Sequence, residues 1–247
     1  MTKILGRISS EESMGLVDGP GIRYVVFMQG CMLRCKYCHN PETWDENGKC
    51  QMVSAEELVN KISRYKSYFG EEGGVTFSGG EPLLQPEFLI ECLKLCKEKG
   101  IHTALDTAGK SRASESQLNE ILSLVDLVIL DIKAVEEEDY KELTGQDMTA
   151  FKHFVTLLNK HDKKLWIRQV VVPEINDCGV KILELKYFIA DNFKKENILK
   201  KELLPYKSIG VHKYKTLGLK YRLEGVEEMD EERCKNLERI LNFCIDK

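Results

Sequence analysis

The sequence lacks any long uncharged stretch, and the longest one, residues 24–33, contains ten residues. A helix that spans a bilayer needs about 20 consecutive apolar residues. The N-terminal segment is equally unsuited to an apolar signal-peptide core, because Lys3, Arg7, Glu11 and Glu12 interrupt it. We therefore expect neither a membrane span nor an export signal.

Internal repeats, low-complexity tracts and linker-like runs of Pro, Gly and Ser are also missing, and the six prolines are scattered. We therefore expect one domain covering residues 1–247. Charge is nearly balanced, with 36 Lys and Arg against 40 Asp and Glu, and 43% of the residues are hydrophobic. This composition excludes a disordered chain and a general nucleic-acid binder.

Cysteine, by contrast, is abundant, with nine residues in the chain. Without an export signal these cysteines indicate a reducing compartment, the cytoplasm, where close-set thiols bind metal more often than they form disulfides. A chain of 247 residues can bury a full hydrophobic core, so a disulfide-stapled mini-protein is excluded.

Short apolar runs alternate with longer segments of helical periodicity, which predicts repeated strand–helix units around a parallel sheet. The predicted strands are 24–29, 74–77, 102–106, 127–131, 165–172 and 198–204. Six such units favour an α/β fold, an open partial (β/α)6 TIM-like barrel two strands short of the usual eight. A doubly wound sheet is the alternative, because periodicity does not determine strand order.

Two capping boxes, Ser54 with Glu57 and Ser114 with Gln117, predict helix starts. The first helix is expected to present one apolar face, formed by Leu58, Ile62, Tyr65 and Phe69. Further helices are predicted over residues 87–99, 137–143, 149–159, 180–192 and 231–243.

Three cysteines, Cys31, Cys35 and Cys38, form a C-x3-C-x2-C loop directly after the first predicted strand. An iron–sulfur cube takes four ligands, so three thiolates leave one iron open to chemistry. A Cys3His zinc site with His39 is the alternative, although zinc ligands usually come from two separate knuckles. Other cysteines share apolar helix faces, as Cys92 with Cys96 and Cys234 with Cys244, or have no assigned role, as Cys50 and Cys178.

Charged residues follow the predicted strands. Asp106, Asp131, Lys133 and Arg168 lie at or just beyond strand ends, which converge on one face of a barrel and form active sites there. Any one of them alone is equally typical of a surface charge. Ser78-Gly79-Gly80-Glu81 follows the second predicted strand and suits either a ligand that approaches bare backbone or an ordinary turn.

The chain resembles the radical S-adenosylmethionine (SAM) enzymes, whose C-x3-C-x2-C motif has an aromatic residue, here Tyr37, before the last cysteine. Within them it is most similar to the activating enzymes of glycyl-radical enzymes, and the similarity covers essentially the whole chain. The matching segments are Asp18-Gly19-Pro20-Gly21-Ile22-Arg23, Cys38-His39-Asn40, Ser78-Gly79-Gly80-Glu81, Leu105-Asp106-Thr107, Leu130-Asp131-Ile132-Lys133, Trp166-Ile167-Arg168 and Leu204-Pro205-Tyr206.

The resemblance implies a role for each matching site. Cys31, Cys35 and Cys38 would hold a 4Fe-4S cluster and so serve catalysis together with Lys133. The SAM contacts it implies are Tyr37, Cys38, His39, Gly79, Gly80, Glu81, Asp106, Asp131, Ile132, Lys133, Arg168 and Lys207, of which Lys207 stands where the family has a histidine. Asp106, Thr107 and Asp131 would bind a monovalent cation, and Asp18 and Arg168 a substrate peptide.

The activity implied by the resemblance is reductive cleavage of SAM at the cluster, followed by abstraction of a glycine α-hydrogen from a partner protein. The chain has no ferredoxin-type cysteine insertion, which favours pyruvate formate-lyase as that partner, with flavodoxin or a similar electron donor and a monomeric activase. Three alternatives stay open: activation of another glycyl-radical enzyme, radical SAM chemistry on a small molecule, and a non-catalytic module stabilised by zinc.

Overall fold

The computed structural model describes residues 4–243, and its framework is one eight-stranded sheet. The strands are β1 (Leu5–Gly15), β2 (Arg23–Met28), β3 (Gln51–Ser54), β4 (Gly74–Gly79), β5 (Thr103–Thr107), β6 (Leu127–Asp131), β7 (Lys164–Val171) and β8 (Ile198–Pro205). Their order in the sheet is β3-β1-β2-β4-β5-β6-β7-β8. All six predicted strands are confirmed within a few residues at their ends.

Six strands are parallel and lie side by side in chain order: β2, β4, β5, β6, β7 and β8. Parallel crossovers are right-handed, so strands added in one direction place their helices on one face and curl the sheet toward a barrel. A doubly wound sheet needs a reversal of strand order. The observed order therefore excludes that alternative and confirms the open, partial barrel.

Two strands, β1 and β3, were not predicted. Both are antiparallel to their neighbours and extend the sheet beyond β2. The sequence of β1, LGRISSEESMG, contains charged and hydroxyl side chains at most positions and has no apolar run. Its pairing with β2 is a tertiary effect, which single-strand patterns do not detect.

Eight α-helices lie within the described residues: α1 (Ala55–Ser63), α2 (Pro86–Glu98), α3 (Glu115–Leu124), α4 (Glu137–Thr144), α5 (Thr149–Lys160), α6 (Gly179–Asn192), α7 (Val211–Thr216) and α8 (Glu231–Asn242). Both predicted capping boxes are present at α1 and α3. One expectation is wrong: α1 ends at Ser63, so Tyr65 and Phe69 lie beyond it. Cys244 lies outside the described residues. None of the helices within residues 4–243 is long and apolar enough to cross a membrane.

Alternate residues of the parallel strands face two different environments. One set packs against the helices in a large apolar core, in which Cys92, Cys96 and Cys234 are buried as expected. The other set faces the concave side and forms a small apolar group of Ala104, Leu127 and Ile129 with Trp166 against it. The polar residues at the strand ends lie beyond this group, at the carboxyl edge of the sheet.

Candidate active site

A cavity of about 330 Å³ lies at the carboxyl ends of the parallel strands. It brings together most of the residues selected from the sequence. These are Asp18, Cys31, Cys35, Tyr37, Cys38, His39, Gly79, Gly80, Glu81, Asp106, Thr107, Asp131, Lys133 and Arg168. Residues separated by up to 150 positions in the chain therefore share one site, as expected for strand ends that converge.

The cysteine loop is locked to the end of β4 by backbone contacts. The Glu81 N–H donates to the Gly30 carbonyl at 2.8 Å, and the Gly80 N–H donates to the Met28 carbonyl at 2.8 Å. A Cβ on Gly79 would lie 2.2 Å from the Met28 nitrogen, and one on Gly80 2.2 Å from the Gly30 carbonyl oxygen. The two glycines are therefore required for the approach of the cysteine loop, in addition to lining the cavity.

The three loop cysteines are free thiols that face the cavity. Burial raises the pKa of Cys31 well above its ordinary value and that of Cys35 to about 11, and neighbouring thiols add to both shifts. Three buried thiols side by side would be unfavourable as free anions, and a cationic centre that binds their thiolates removes this penalty. The donor set fits an iron–sulfur cluster.

A single zinc ion fits less well. Within residues 4–243, no three His, Cys, Asp or Glu side chains are arranged around one metal ion. His39 is also engaged elsewhere, because its Nε2 lies 2.7 Å from the Lys207 carbonyl oxygen. In a cubane each thiolate binds its own iron, so the sulfur atoms can stand farther apart than the ligands of one ion.

Glu81 is buried, and its carboxylate joins the ends of β4 and β5. It accepts hydrogen bonds from the Thr107 hydroxyl at 2.6 Å, the Ala108 N–H at 3.0 Å and the Leu83 N–H at 3.2 Å. Burial raises its pKa to about 7, against the opposing effect of these donors. Most of its hydrogen-bonding capacity thus serves to hold the loops that form the cavity wall.

Arg168 lies between two carboxylates at the centre of the site. Its Nη2 is 2.7 Å from Asp106 Oδ1 and its Nε is 3.1 Å from Asp131 Oδ1. Lys133 approaches the second carboxylate at 3.1 Å, and the Ser78 hydroxyl donates to Asp106 at 2.7 Å. The network ties together the ends of β4, β5, β6 and β7.

The two carboxyls of this network titrate differently. Burial raises the pKa of Asp131, but the two cations Arg168 and Lys133 outweigh it and hold that pKa below its ordinary value. Burial also raises the pKa of Asp106, and Arg168 only partly compensates, so that pKa stays above its ordinary value. The site therefore places a firmly ionised carboxylate beside one that takes up a proton more readily.

The segment before β2 is fastened to the concave face. The Arg23 guanidinium is fully buried, and its Nε donates to the Thr76 hydroxyl at 3.0 Å. That hydroxyl in turn donates to the Asp18 backbone carbonyl at 2.7 Å. The Asp18 carboxyl is half-buried at the cavity, and burial followed by repulsion from Asp106 raises its pKa. These hydrogen bonds define the position of Asp18 at the cavity.

Two of the selected residues lie outside the cavity lining. Ile132 is fully buried, and its N–H donates to the Arg168 carbonyl at 2.9 Å. The Lys207 side chain points to the start of α8, where it pairs with Glu231 at 3.1 Å and Glu228 at 3.7 Å. Only the Lys207 carbonyl reaches the site, through His39.

Sequence reasoning assigned no individual role to several cavity residues: Phe27, Leu33, Asn40, Trp44, Ser78, Ala108, Val170, Leu204 and Pro205. Four of them, Asn40, Ser78, Leu204 and Pro205, do lie in the segments that match the family. The sequence contains a partial signal for two of them. Side chains alternate between the two faces of a strand, so Val170, two residues after Arg168, faces the same side as Arg168, and Leu204 is its partner on β8. The role of Ser78 depends on the register between β4 and β5, for which the sequence contains no signal.

The open parallel sheet, with a C-x3-C-x2-C loop after its first parallel strand and a charged network at the other strand ends, defines a radical SAM protein. The model of the Radical SAM superfamily matches residues 25–185, well over half of the chain. Relatives extend this match to nearly the whole chain. A pyruvate formate-lyase-activating enzyme from Clostridium pasteurianum is 52% identical over 98% of this chain and 100% of its own length.

A pyruvate formate-lyase-activating enzyme from Staphylococcus epidermidis is 44% identical over 96% of both chains. A solved domain of a pyruvate-formate lyase-activating enzyme from Bacteroides vulgatus is 26% identical, with a TM-score of 0.55 over 68% of this chain and 92% of that one. The chain therefore belongs to the radical SAM superfamily, in the family of the pyruvate formate-lyase-activating enzymes.

Proposed function

We propose that this protein is a radical SAM activase that generates the glycyl radical of pyruvate formate-lyase. The observation that carries the proposal is the shared cavity, in which the cysteine loop faces the charged network centred on Arg168. Family membership over nearly the full length supports the same reaction.

The residues present fit both groups that the radical SAM family uses. Cys31, Cys35 and Cys38 would hold a 4Fe-4S cluster, and Gly79, Gly80 and Glu81 the methionine part of SAM. When bound, these groups supply one-electron cleavage of SAM to methionine and a 5'-deoxyadenosyl radical, which removes a hydrogen atom from carbon. Tyr37 and His39 line the same wall and would contact the remainder of SAM.

The charged network would position SAM. Lys133 and Asp131 face the cavity next to the cysteine loop, and the Lys133 ammonium lies 5.7 Å from the Tyr37 ring centroid. We assign Asp131 and Lys133 to SAM and Asp106, Thr107 and Asp131 to a monovalent cation beside it. Two carboxylates and a hydroxyl within one wall support the cation assignment, since hard cations prefer oxygen ligands. Ile132 and Lys207 would act only through the backbone.

The substrate would be an extended protein segment that contains a glycine. Asp18 and Arg168 both line the cavity and would hold the peptide through hydrogen bonds to its backbone or a charged neighbour. Glycine suits the reaction because it lacks Cβ, so its radical carbon can flatten and delocalise. Within the described residues, β3 and β8 are the two edge strands of the sheet and do not pair with each other, so the barrel stays open at its side for such a segment.

We further propose that residues 1–247 act as one domain, that the protein is a monomer in the cytoplasm, and that flavodoxin or a similar carrier supplies the electron. Eight free cysteines among residues 4–243 support a reducing compartment.

Deuterium transfer tests this function. The protein is incubated anaerobically with SAM, a one-electron reductant and a peptide copied from the radical loop of pyruvate formate-lyase, deuterated at the glycine Cα. We expect deuterium in 5'-deoxyadenosine by mass spectrometry, and none with Cys35→Ala. A weak peptide affinity is expected, because binding must order a flexible segment. Label transfer from a small metabolite and never from the peptide or the intact partner would contradict the proposal.

A further inference from the structure

Trp44 stands in a wall between two spaces. It follows a short 3-10 turn, Pro41–Thr43, that comes directly after the cysteine loop. On one side it lines the active-site cavity, and on the other it lines an open groove of about 950 Å³ outside the cysteine loop. Cys31 also lines both spaces. The indole and the start of the cysteine loop therefore form the wall between the cavity and the groove.

The indole is held firmly relative to the cysteine loop. The Tyr214 ring meets it edge-on with centroids 5.7 Å apart, and the Tyr214 hydroxyl donates to the Cys38 carbonyl at 3.0 Å. On the indole face, the Arg34 guanidinium carbon lies 5.0 Å from the ring centroid. Arg34 also donates to the Cys31 carbonyl at 2.6 Å. Tyr214 and Arg34 thus each contact the indole and also bind the backbone of a loop cysteine, which fixes Trp44 relative to the loop.

The Trp44 indole N–H is buried, and among residues 4–243 it has no hydrogen-bond partner. A buried donor without a partner is costly, so native proteins rarely leave one unexplained. Trp44 and Cys38 line the same cavity, and Tyr214 contacts both of them, because its ring meets the indole and its hydroxyl donates to the Cys38 carbonyl. The geometry therefore places an unpaired, buried donor beside the last cysteine of the loop.

A neutral thiol is a weak acceptor, whereas a thiolate is a stronger one because its bonds are charge-assisted. We propose that the Trp44 indole N–H donates a hydrogen bond to the Cys38 sulfur when that sulfur is a cluster ligand, and so raises the reduction potential of the cluster. One added electron makes the sulfur more negative and strengthens the bond, which favours the reduced form. The Arg34 cation over the indole draws electron density from the ring and makes the N–H a better donor. The inference rests on the proposed ligation by Cys38.

The chain contains only two tryptophans, which makes the test selective. The protein is labelled with ¹⁵N at the indole, reconstituted anaerobically with iron and sulfide, reduced with one electron and examined by pulsed EPR. We expect a ¹⁵N coupling and an exchangeable-proton coupling that persist in Trp166→Phe and vanish in Trp44→Phe. Trp166 is the matched control, since its indole N–H donates to Glu202 at 3.1 Å on the concave face.

A redox titration gives the second readout. Trp44→Phe keeps the aromatic bulk that excludes water but removes the donor. At a fixed potential we expect the ratio of reduced to oxidised cluster to fall about three- to tenfold, where tenfold corresponds to about 59 mV for a one-electron couple. Trp166→Phe should match the wild-type potential.

The outcomes separate this inference from the proposed function. A cluster EPR signal without indole nitrogen coupling, or an unchanged potential in Trp44→Phe, overturns the role of Trp44 alone. If the wild-type protein forms no cluster, the proposed function fails and this inference fails with it. The coupling in wild-type protein needs no variant, so a folding defect in Trp44→Phe leaves the test decisive.

Discussion

Arg168→Gln removes the cation shared by two buried carboxylates. The Arg168 side chain is 9% exposed and that of Asp106 11% exposed, so water compensates little for the loss. Asp131 keeps its ion pair with Lys133 at 3.1 Å, whereas Asp106 keeps the hydrogen bond from the Ser78 hydroxyl and, among residues 4–243, no direct ion pair. Removing one partner of a buried pair costs about 3 to 5 kcal/mol. For a protein of this size that loss lowers Tm by about 6 to 20 °C.

The assay is thermal unfolding by circular dichroism on protein free of iron and SAM, because ligands that bind the folded state would add to the measured stability. The matched control is Arg233→Gln, which breaks an ion pair with Asp177 whose arginine is 57% exposed. The arginine of this pair stays in contact with water, although the Asp177 side chain is only 12% exposed, so we expect the pair to contribute about 0 to 1 kcal/mol. The double variant Arg168→Gln with Asp106→Asn removes the charge left unpaired and should recover more than half of the loss.

The pH dependence has a defined sign. Without Arg168, burial holds the pKa of the Asp106 carboxyl still further above its ordinary value. Protonation then relieves the unpaired charge, so the stability deficit of Arg168→Gln should shrink as pH falls below that raised pKa. Equal losses for Arg168→Gln and Arg233→Gln, or a deficit that grows on acidification, would refute the buried network.

Three further predictions concern the site. Cys35→Ala should abolish iron binding on reconstitution. Cys92→Ala, in the core, should keep its iron and lose only about 1 kcal/mol or somewhat more of stability. Equal iron content in the two variants would contradict the assignment of Cys35 as a ligand. Burial raises the pKa of Glu81 to about 7, so the folded protein binds a proton there more tightly than the unfolded chain does. The free energy of unfolding, measured by urea denaturation, should therefore fall by on the order of 3 kcal/mol as pH rises toward 7, and Glu81→Gln should flatten that pH dependence. Lys133→Met keeps the aliphatic stem, so calorimetry should show weaker SAM binding with a smaller Tm loss than Arg168→Gln; normal SAM binding would make Lys133 structural.

The parallel strands could be predicted because each is a short apolar run followed by helical periodicity. β1 has no such run, and its place in the sheet depends on pairing with β2. α7 has six residues, too few for periodicity to identify. Yet α7 carries Tyr214, whose hydroxyl binds the Cys38 carbonyl. Elements defined by tertiary contacts thus complete a site whose main residues the sequence pattern predicts.

The partners within the site could not be predicted to the same extent. Convergence of strand ends predicts that Asp106, Asp131 and Arg168 come together, and the structure confirms it. The pairing itself depends on strand register, which aligns Asp131 with Arg168. The position of Lys207 shows the converse: the family position suggested a cofactor contact, but two glutamates draw its side chain toward α8.

Activation of the partner enzyme is the most direct test of the central claim. Pyruvate formate-lyase is mixed anaerobically with this protein, SAM and a one-electron reductant, and the EPR spectrum is recorded before and after the mixture is exposed to air. The account predicts a glycyl-radical signal, carried by pyruvate formate-lyase and lost in air, whose hyperfine splitting collapses when the partner's glycine is deuterated at Cα, and no signal with Cys35→Ala. An intact cluster that cleaves SAM in the same mixture but produces no such radical would contradict the account.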